Sequence, residues 1–258
     1  MFAEERYRRI LELVNEAGKA TVSQLSEELN VSAVTVRRDL EKLEEMNLLV
    51  RTHGGAIPVG SNVIHTAAEK PFAEKAEALA EEKRRIAAAA AALVEDDDAV
   101  LLTPGTTSML IARELAASHK RLTLVTNAVN IALYICSNSD MEVMLLGGSV
   151  RHKSLAAVGP VAEEALARVR VDKLFLGVDG FDLQEGLTTP NVAEASINRK
   201  MMSIARETIV AADHSKFGKV LFAHIAPIEQ VDKVISDRGL NKEFAKKIRD
   251  LGISLTLV

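Results

Sequence analysis

Seven short apolar runs recur through the last two thirds of the chain, at 99–102 (AVLL), 122–126 (LTLVT), 142–146 (EVMLL), 173–178 (KLFLGV), 208–212 (TIVAA), 231–235 (VDKVI) and 253–258 (ISLTLV). Most are separated by 10–20 residues of helical or turn-rich sequence, such as 108–117 and 241–251. Strands that alternate with helical segments form βαβ units, whose crossovers cover both faces of the sheet and so demand continuous apolar runs. This pattern predicts an α/β domain with a mainly parallel, Rossmann-like sheet of buried strands. No internal repeat of 20–50 residues is visible.

The first 57 residues read differently. Tyr7, Ile10, Leu11, Leu13 and Val14 fall at helical spacing, and Gly18 ends that helix. Ser23 is placed to cap a short second helix whose buried side carries Leu25 and Leu29. After the tight connection Asn30-Val31, Ser32 caps a third helix running to about Met46, with Val36, Leu40 and Leu43 on one face. Val31 and Val36 are spaced for a hydrophobic staple. Residues 48–52 are strand-like and Gly54-Gly55 is a turn signal. Three helices followed by a small hairpin describe a winged helix-turn-helix. Pro58, Gly60, Ser61 and Pro71 mark 58–75 as a linker, and 76–94, with the alanine run 87–92, as a helix. The expected organisation is a DNA-binding domain at 1–57, the linker at 58–75, and an effector-sensing and oligomerisation domain at 76–258.

Charge does not make the DNA-binding case by itself. The formal net charge is −4, and residues 1–57 hold eight Lys/Arg against ten Asp/Glu. A domain gripping DNA by bulk charge would be basic, so the argument rests on where the cations sit. The lone Cys136 excludes an intrachain disulfide and a Cys/His metal cluster. Charges interrupt the N-terminal apolar residues, and the low-polarity stretch 86–94 falls far short of the roughly 20 residues that span a bilayer. A cytoplasmic protein with no membrane contact is expected.

The segment Ser32-Ala-Val-Thr-Val-Arg-Arg-Asp-Leu40 carries the strongest local signal. With Val36, Leu40 and Leu43 turned inward, Val34, Arg37, Arg38 and Glu41 point outward. The early turns of a recognition helix reach base edges, arginine reads guanine, and Ser32 and Thr35 sit where a helix N-terminus meets phosphate. Asp39 is expected to pair with an arginine such as Arg9 or Arg51, because a carboxylate facing DNA repels phosphate. Arg51 and His53 on the wing are placed for the DNA backbone or minor groove, although an exposed loop accounts for His53 equally well.

A second signal, Gly105-Thr106-Thr107-Ser108, follows a predicted strand and opens a helix. Free N–H groups and hydroxyls there suit an anion, or simply cap the turn. The motif is neither a Walker A loop nor a dinucleotide fingerprint, so no cofactor is expected. Thr126-Asn127, Gly147-Gly148 and Gly177-Val-Asp179-Gly180 lie at other strand ends, where open α/β sheets bind ligands. Arg151 and Lys216 are candidate cations for that crevice. A rival reading takes Asp179, Asp182, Glu194 and Lys216 as acid/base groups of a sugar-phosphate isomerase with an accessory helical domain. A third takes the chain as a DNA-bound scaffold that senses nothing. An isomerase has no use for a recognition helix, which argues against the rival.

Residues 32–40, Arg9 and Arg51-Thr-His-Gly-Gly-Ala56 resemble the N-terminus of the DeoR family of bacterial sugar-operon regulators. Gly105-Thr-Thr107, Val125-Thr-Asn127, Gly147-Gly148, Phe175-Leu-Gly-Val-Asp-Gly180, Gly186-Leu-Thr188 and Ala211-Ala-Asp-His-Ser-Lys-Phe217 resemble that family's sensor domain, in the same order. The resemblance implies an oligomeric repressor of a sugar-metabolism operon. It would bind a double-stranded DNA operator as a dimer or tetramer and be released by a phosphorylated sugar. It also implies a sensor fold like that of ribose-5-phosphate isomerase. One departure is Thr103-Pro104, where the family commonly carries an aspartate and a small residue. The stretch 186–195 is closest to the amino-sugar branch.

Overall fold

The computed structural model describes residues 3–17, 20–46, 48–52, 54–58, 69 and 71–258, and the chain divides into two units, residues 1–67 and 68–258. In the first unit, α1 (Ala3–Ala17), β1 (Ala20–Thr21), α2 (Val22–Leu29), α3 (Ala33–Glu45), β2 (Leu49–Thr52) and β3 (Gly55–Pro58) follow in order. The strands form an antiparallel sheet in the order β1-β3-β2. Ile10, Val14, Leu25, Leu29, Val36, Leu40 and Leu43 bury together, with Val31 partly buried against them as the staple requires. This is the winged helix-turn-helix expected from the periodicity.

Two local expectations are corrected. Thr21 rather than Ser23 caps α2: it accepts from the Gln24 amide at 3.2 Å while the Gln24 side chain accepts from the Thr21 amide at 2.9 Å. That reciprocal capping box outcompetes a lone serine. The partner of Asp39 is Arg6, whose Nε and Nη2 donate at 2.6 and 2.9 Å. Arg9 instead pairs with Glu12 and Arg51 with Glu41. Arg6 lies across from the buried edge of α3, whereas Arg9 is on the exposed side of α1. Glycine is required at position 55, where a Cβ would stand 1.9 Å from the Ala20 carbonyl oxygen. The expectations on Gly18, His53, Gly60 and Ser61 fall outside the described residues.

The second unit opens with α4 (Phe72–Glu77) and α5 (Ala80–Ala92) and continues through β4 (Ala99–Leu102), α6 (Thr106–Ala117), β5 (Thr123–Thr126), α7 (Val129–Asn138) and β6 (Glu142–Leu145). Then come β7 (Ser149–Arg151), β8 (Ala156–Val158), α8 (Pro160–Leu166), β9 (Val171–Leu176), β10 (Gly180–Asp182), β11 (Gly186–Thr189) and α9 (Val192–Ile204). The chain ends with β12 (Ala205–Ala211), β13 (Ala223–Ala226), β14 (Lys233–Ser236), α10 (Lys242–Asp250) and β15 (Ser254–Leu257). Seven strands form one sheet in the order β15-β14-β12-β9-β4-β5-β6, every neighbouring pair parallel. They are the seven apolar runs of the sequence, with ends moved by up to a few residues.

Side-chain alternation builds a core on each face. Val100, Leu102, Leu124, Phe175 and Ile209 pack against Ile86, Ile111, Leu115, Ile131 and Ile135 of α5, α6 and α7. Leu101, Val125, Leu174, Leu176 and Val210 pack against Leu166, Ile197, Met201 and Ile248 of α8, α9 and α10. The edge strands β6 and β15 are half-exposed rather than buried, since each has a neighbour on one side only. The hairpin β7–β8 and the small antiparallel sheet β10-β11-β13 are additions that the alternation does not announce. Among the described residues, no helix is long and apolar enough to cross a membrane.

Another correction bears on function. The expected linker to residue 75 and the single helix from residue 76 give way to α4, a turn with Leu79 at φ 51°, and α5. Pro71 starts α4 rather than extending a loop, since proline is tolerated at a helix beginning.

The Arg6–Asp39 pair yields a stability prediction. Its side chains are 14% and 5% exposed, so Asp39→Ala strands a guanidinium in a mostly buried place. A loss of about 1–3 kcal/mol is expected in chemical denaturation of the N-terminal unit. Lys42→Ala, which breaks an exposed i,i+3 pair, should stay within about 0.5 kcal/mol of wild type.

Candidate functional site

The outer face of α3 is built by its caps and stripe. Ser32 caps the helix, accepting from the Thr35 amide at 3.2 Å, and the two hydroxyls meet at 2.9 Å. Ser32 and Thr35 therefore satisfy one another at the helix start. Val34 stands 67% exposed in the first turn, where an apolar base edge could be met. Arg37 and Arg38 are exposed and take no carboxylate partner among the described residues. Arg37 and Arg51 line one groove beside the wing turn at Gly54 and Gly55. Arg51 is half-committed, donating to Glu41 at 3.0 Å. Of the expected DNA-facing residues, His53 alone lies outside the described residues.

The second site sits where the sheet order reverses. From β4 the chain runs outward through β5 and β6, then returns to β9 on the other side of β4. The crossovers leaving β4 and β9 diverge at the carboxyl ends of the strands and open a crevice between them. Thr103 stitches its base: its hydroxyl accepts from the Gly177 amide at 2.8 Å and donates to the Phe175 carbonyl at 3.4 Å. The crevice is lined by 104–108, Asn127, 177–179 and 211–213, together with Lys75, Lys83, Lys153 and Lys216.

Gly105, at φ +153°, turns the chain into α6, and no side chain caps that helix. The first amides of α6 therefore face the pocket with the positive end of the helix dipole behind them. Asn127 is fully buried; its Nδ2 donates to the Ala157 carbonyl at 2.9 Å, while its Oδ1 has no partner among the described residues. An orphaned buried acceptor costs about 1–3 kcal/mol, so it calls for a donor from a ligand.

The cations are arranged around one carboxylate. Lys75 Nζ lies 2.8 Å and Lys216 Nζ 3.7 Å from Asp179 Oδ1. Burial works to raise the Asp179 carboxyl, but the ammonium groups of Lys216 and Lys75 outweigh it and hold the carboxyl below the ordinary carboxylate range. Lys83 is 3% exposed and donates to the Lys75 and Ala78 carbonyls at 2.6 Å each. Burial pushes its ammonium below the ordinary lysine range; Asp213 opposes this, and Lys216 and Lys75 add to it.

Of the expected effector residues, the structure brings together Gly105, Thr106, Thr107, Asn127, Asp179 and Lys216. Thr126 lies beneath them, its hydroxyl consumed by the Leu102 carbonyl at 2.7 Å and the Ala128 amide at 3.0 Å. Gly148 is not in the lining; a Cβ there would stand 2.5 Å from the Val158 carbonyl oxygen, so it serves the β7–β8 hairpin. Arg151 stands behind the wall, bonded to Glu69 and Glu194. Of the acid/base set of the isomerase reading, Asp179, Glu194 and Lys216 line the pocket, whereas Asp182 does not: its carboxylate accepts from the amides of Gln184 and Glu185 at 2.9 and 3.0 Å.

Residues 6–61 match the DeoR-like helix-turn-helix domain, and residues 79–238 match the DeoR C terminal sensor domain. The chain is 37% identical to the HTH-type transcriptional regulator GlpR of Haloferax volcanii over 255 residues, 99% of this chain and 98% of that one. It is 34% identical to the HTH-type transcriptional repressor GlcR of Bacillus subtilis over 255 residues, 99% of this chain and 96% of that one. Among solved structures, ribose 5-phosphate isomerase A of Methanocaldococcus jannaschii is similar at a TM-score of 0.39 and 18% identity, over 52% of this chain and 53% of that one.

The depressed Asp179 carboxyl fixes the sign of a pH effect. A carboxylate held down in the folded state stabilises above its ordinary pKa of about 4 and loses that contribution as pH falls through the folded value. Asp179→Asn should therefore be less stable than wild type at neutral pH, with the gap narrowing below about pH 4. Thermal denaturation across that range checks it.

Proposed function

Because the chain belongs to the DeoR family of transcriptional regulators, we propose that it represses a sugar-metabolism operon and is controlled by a phosphorylated sugar or related intermediate at the switch-point pocket. The observation that carries this reading is the meeting of an uncapped helix N-terminus with Lys75, Lys83 and Lys216 around a buried, unpartnered Asn127 oxygen. The amides and ammonium groups suit the phosphate, and the orphaned acceptor suits a sugar hydroxyl.

On the DNA side, Arg37, Arg38 and Val34 read bases in the major groove. Ser32, Thr35, Arg51 and His53 position the domain on phosphates and the minor groove. One winged helix-turn-helix covers one half-site, so a homo-oligomer presenting two of them supplies specific affinity.

Two assays test the reading. In operator titrations at several salt concentrations, Arg37→Ala and Arg38→Ala should each cost about 1–3 kcal/mol and relax sequence preference. A double variant with wild-type affinity and specificity refutes the base-reading role. In calorimetry with a panel of hexose and amino-sugar phosphates, Thr106→Ala/Thr107→Ala should bind the best ligand more weakly, and the unphosphorylated sugar should bind poorly to wild type. A wild type that takes the unphosphorylated sugar as tightly refutes the anion-site assignment.

A further inference from the structure

α4 buries no residue fully and is tied to the pocket wall by polar contacts. It has six residues, none of them buried. A helix this short does not persist on its own. Its ties run to the pocket wall: the Phe72 amide donates to the Lys153 carbonyl at 3.1 Å, Lys75 Nζ reaches Asp179, and Lys83 Nζ holds the Lys75 and Ala78 carbonyls. Just ahead of it, Glu69 grips Arg151 with both oxygens, Nη1–Oε1 at 3.2 Å and Nη2–Oε2 at 2.6 Å. Lys153, Asp179, Lys83 and Glu69 all line the pocket.

Arg151 is shared by two carboxylates, Glu69 and Glu194, so the group carries one negative charge in excess. Glu194 is anchored independently, accepting from Ser154 at 2.5 Å and from Thr189 at 3.2 Å. Glu69 is therefore the exchangeable partner. It is an anion of the chain's own, presented to a pocket whose other charges invite one.

We propose that Glu69 is an internal competitor for the ligand's anion: an anion entering the pocket repels Glu69 and takes its place toward Arg151, and α4 loosens with it. The inference rests on the pocket's reading as an anion site. Exchange leaves the Arg151–Glu194 pair intact and replaces one carboxylate by another anion, so the wall keeps its charge balance. In sequence, Glu69 and α4 follow residues 59–68, which lead from the wing strand β3.

The test uses the full chain with inorganic phosphate as the probe. Calorimetry compares wild type, Glu69→Gln and Thr106→Ala/Thr107→Ala, and hydrogen–deuterium exchange follows the α4 amides. Removing one like charge should tighten phosphate binding in Glu69→Gln by roughly tenfold after salt screening. Phosphate should speed α4 exchange in wild type, and in Glu69→Gln exchange should be fast from the start. Suppose Thr106→Ala/Thr107→Ala weakens phosphate binding but Glu69→Gln matches wild type, or phosphate slows α4 exchange. Then the competitor role is overturned and the anion site stands. Phosphate that binds none of the three proteins overturns the site itself.

Discussion

A parallel sheet covered on both faces has no room for polar chemistry except at its strand ends. In this chain the order β15-β14-β12-β9-β4-β5-β6 puts the reversal between β4 and β9, at the middle of the sheet. The crossovers leaving those two strands cannot lie side by side, and the gap they leave is the pocket. Thr103 closes its base by joining the two strand ends through one hydroxyl. Position 103, where the family commonly carries an aspartate, thus serves the sheet rather than the ligand. Every pocket group is referenced to this opening, including the α6 amides, Asn127 and Asp179.

Charge then gives the opening its character. Lysine is rarely buried unless paired, yet Lys83 is buried against main-chain carbonyls with no carboxylate bonded to it among the described residues. Keeping a cation there costs desolvation, and an anion in the pocket would offset that cost. The same ammonium holds the end of α4, which ties the pocket's electrostatics to the segment leading toward the DNA-binding unit. The N-terminal unit solves a different problem. With more acidic than basic residues overall, it hides Asp39 against Arg6 and leaves Arg37 and Arg38 exposed on the outer face of α3, with no carboxylate partner among the described residues.

Much of this was legible in the residues. Periodicity found all seven strands of the sheet and the three helices of the N-terminal unit, because burial on two faces or one stripe writes a strong pattern. What escaped depends on contacts distant in sequence. Lys83 sits in the run Glu81-Glu82-Lys83-Arg84-Arg85 and reads as solvated, but it falls three, four and seven residues before Ile86, Ala87 and Ala90. Counting that stripe would have placed it on the buried face. The signals of Pro71 and Gly60 read the stretch that holds Lys75 and Glu69 as a linker. Thr126 and Gly148 look like site residues at strand ends, and only the hydroxyl's bonds and the close approach of β8 show them to be structural. Nothing local in the sequence distinguishes Arg6 from Arg9 as the partner of Asp39.

The central claim is that one pocket controls one DNA-reading helix, and this makes a thermodynamic demand. A ligand can move the protein off DNA only if it binds two conformations with different affinity, and the coupling is reciprocal. The decisive measurement is the affinity of the best sugar phosphate for the full chain with and without saturating operator. The account predicts weaker binding in the presence of operator, by the same factor by which that ligand weakens operator binding. Equal affinity in both conditions would mean that the pocket, even if it binds the ligand, is not the switch.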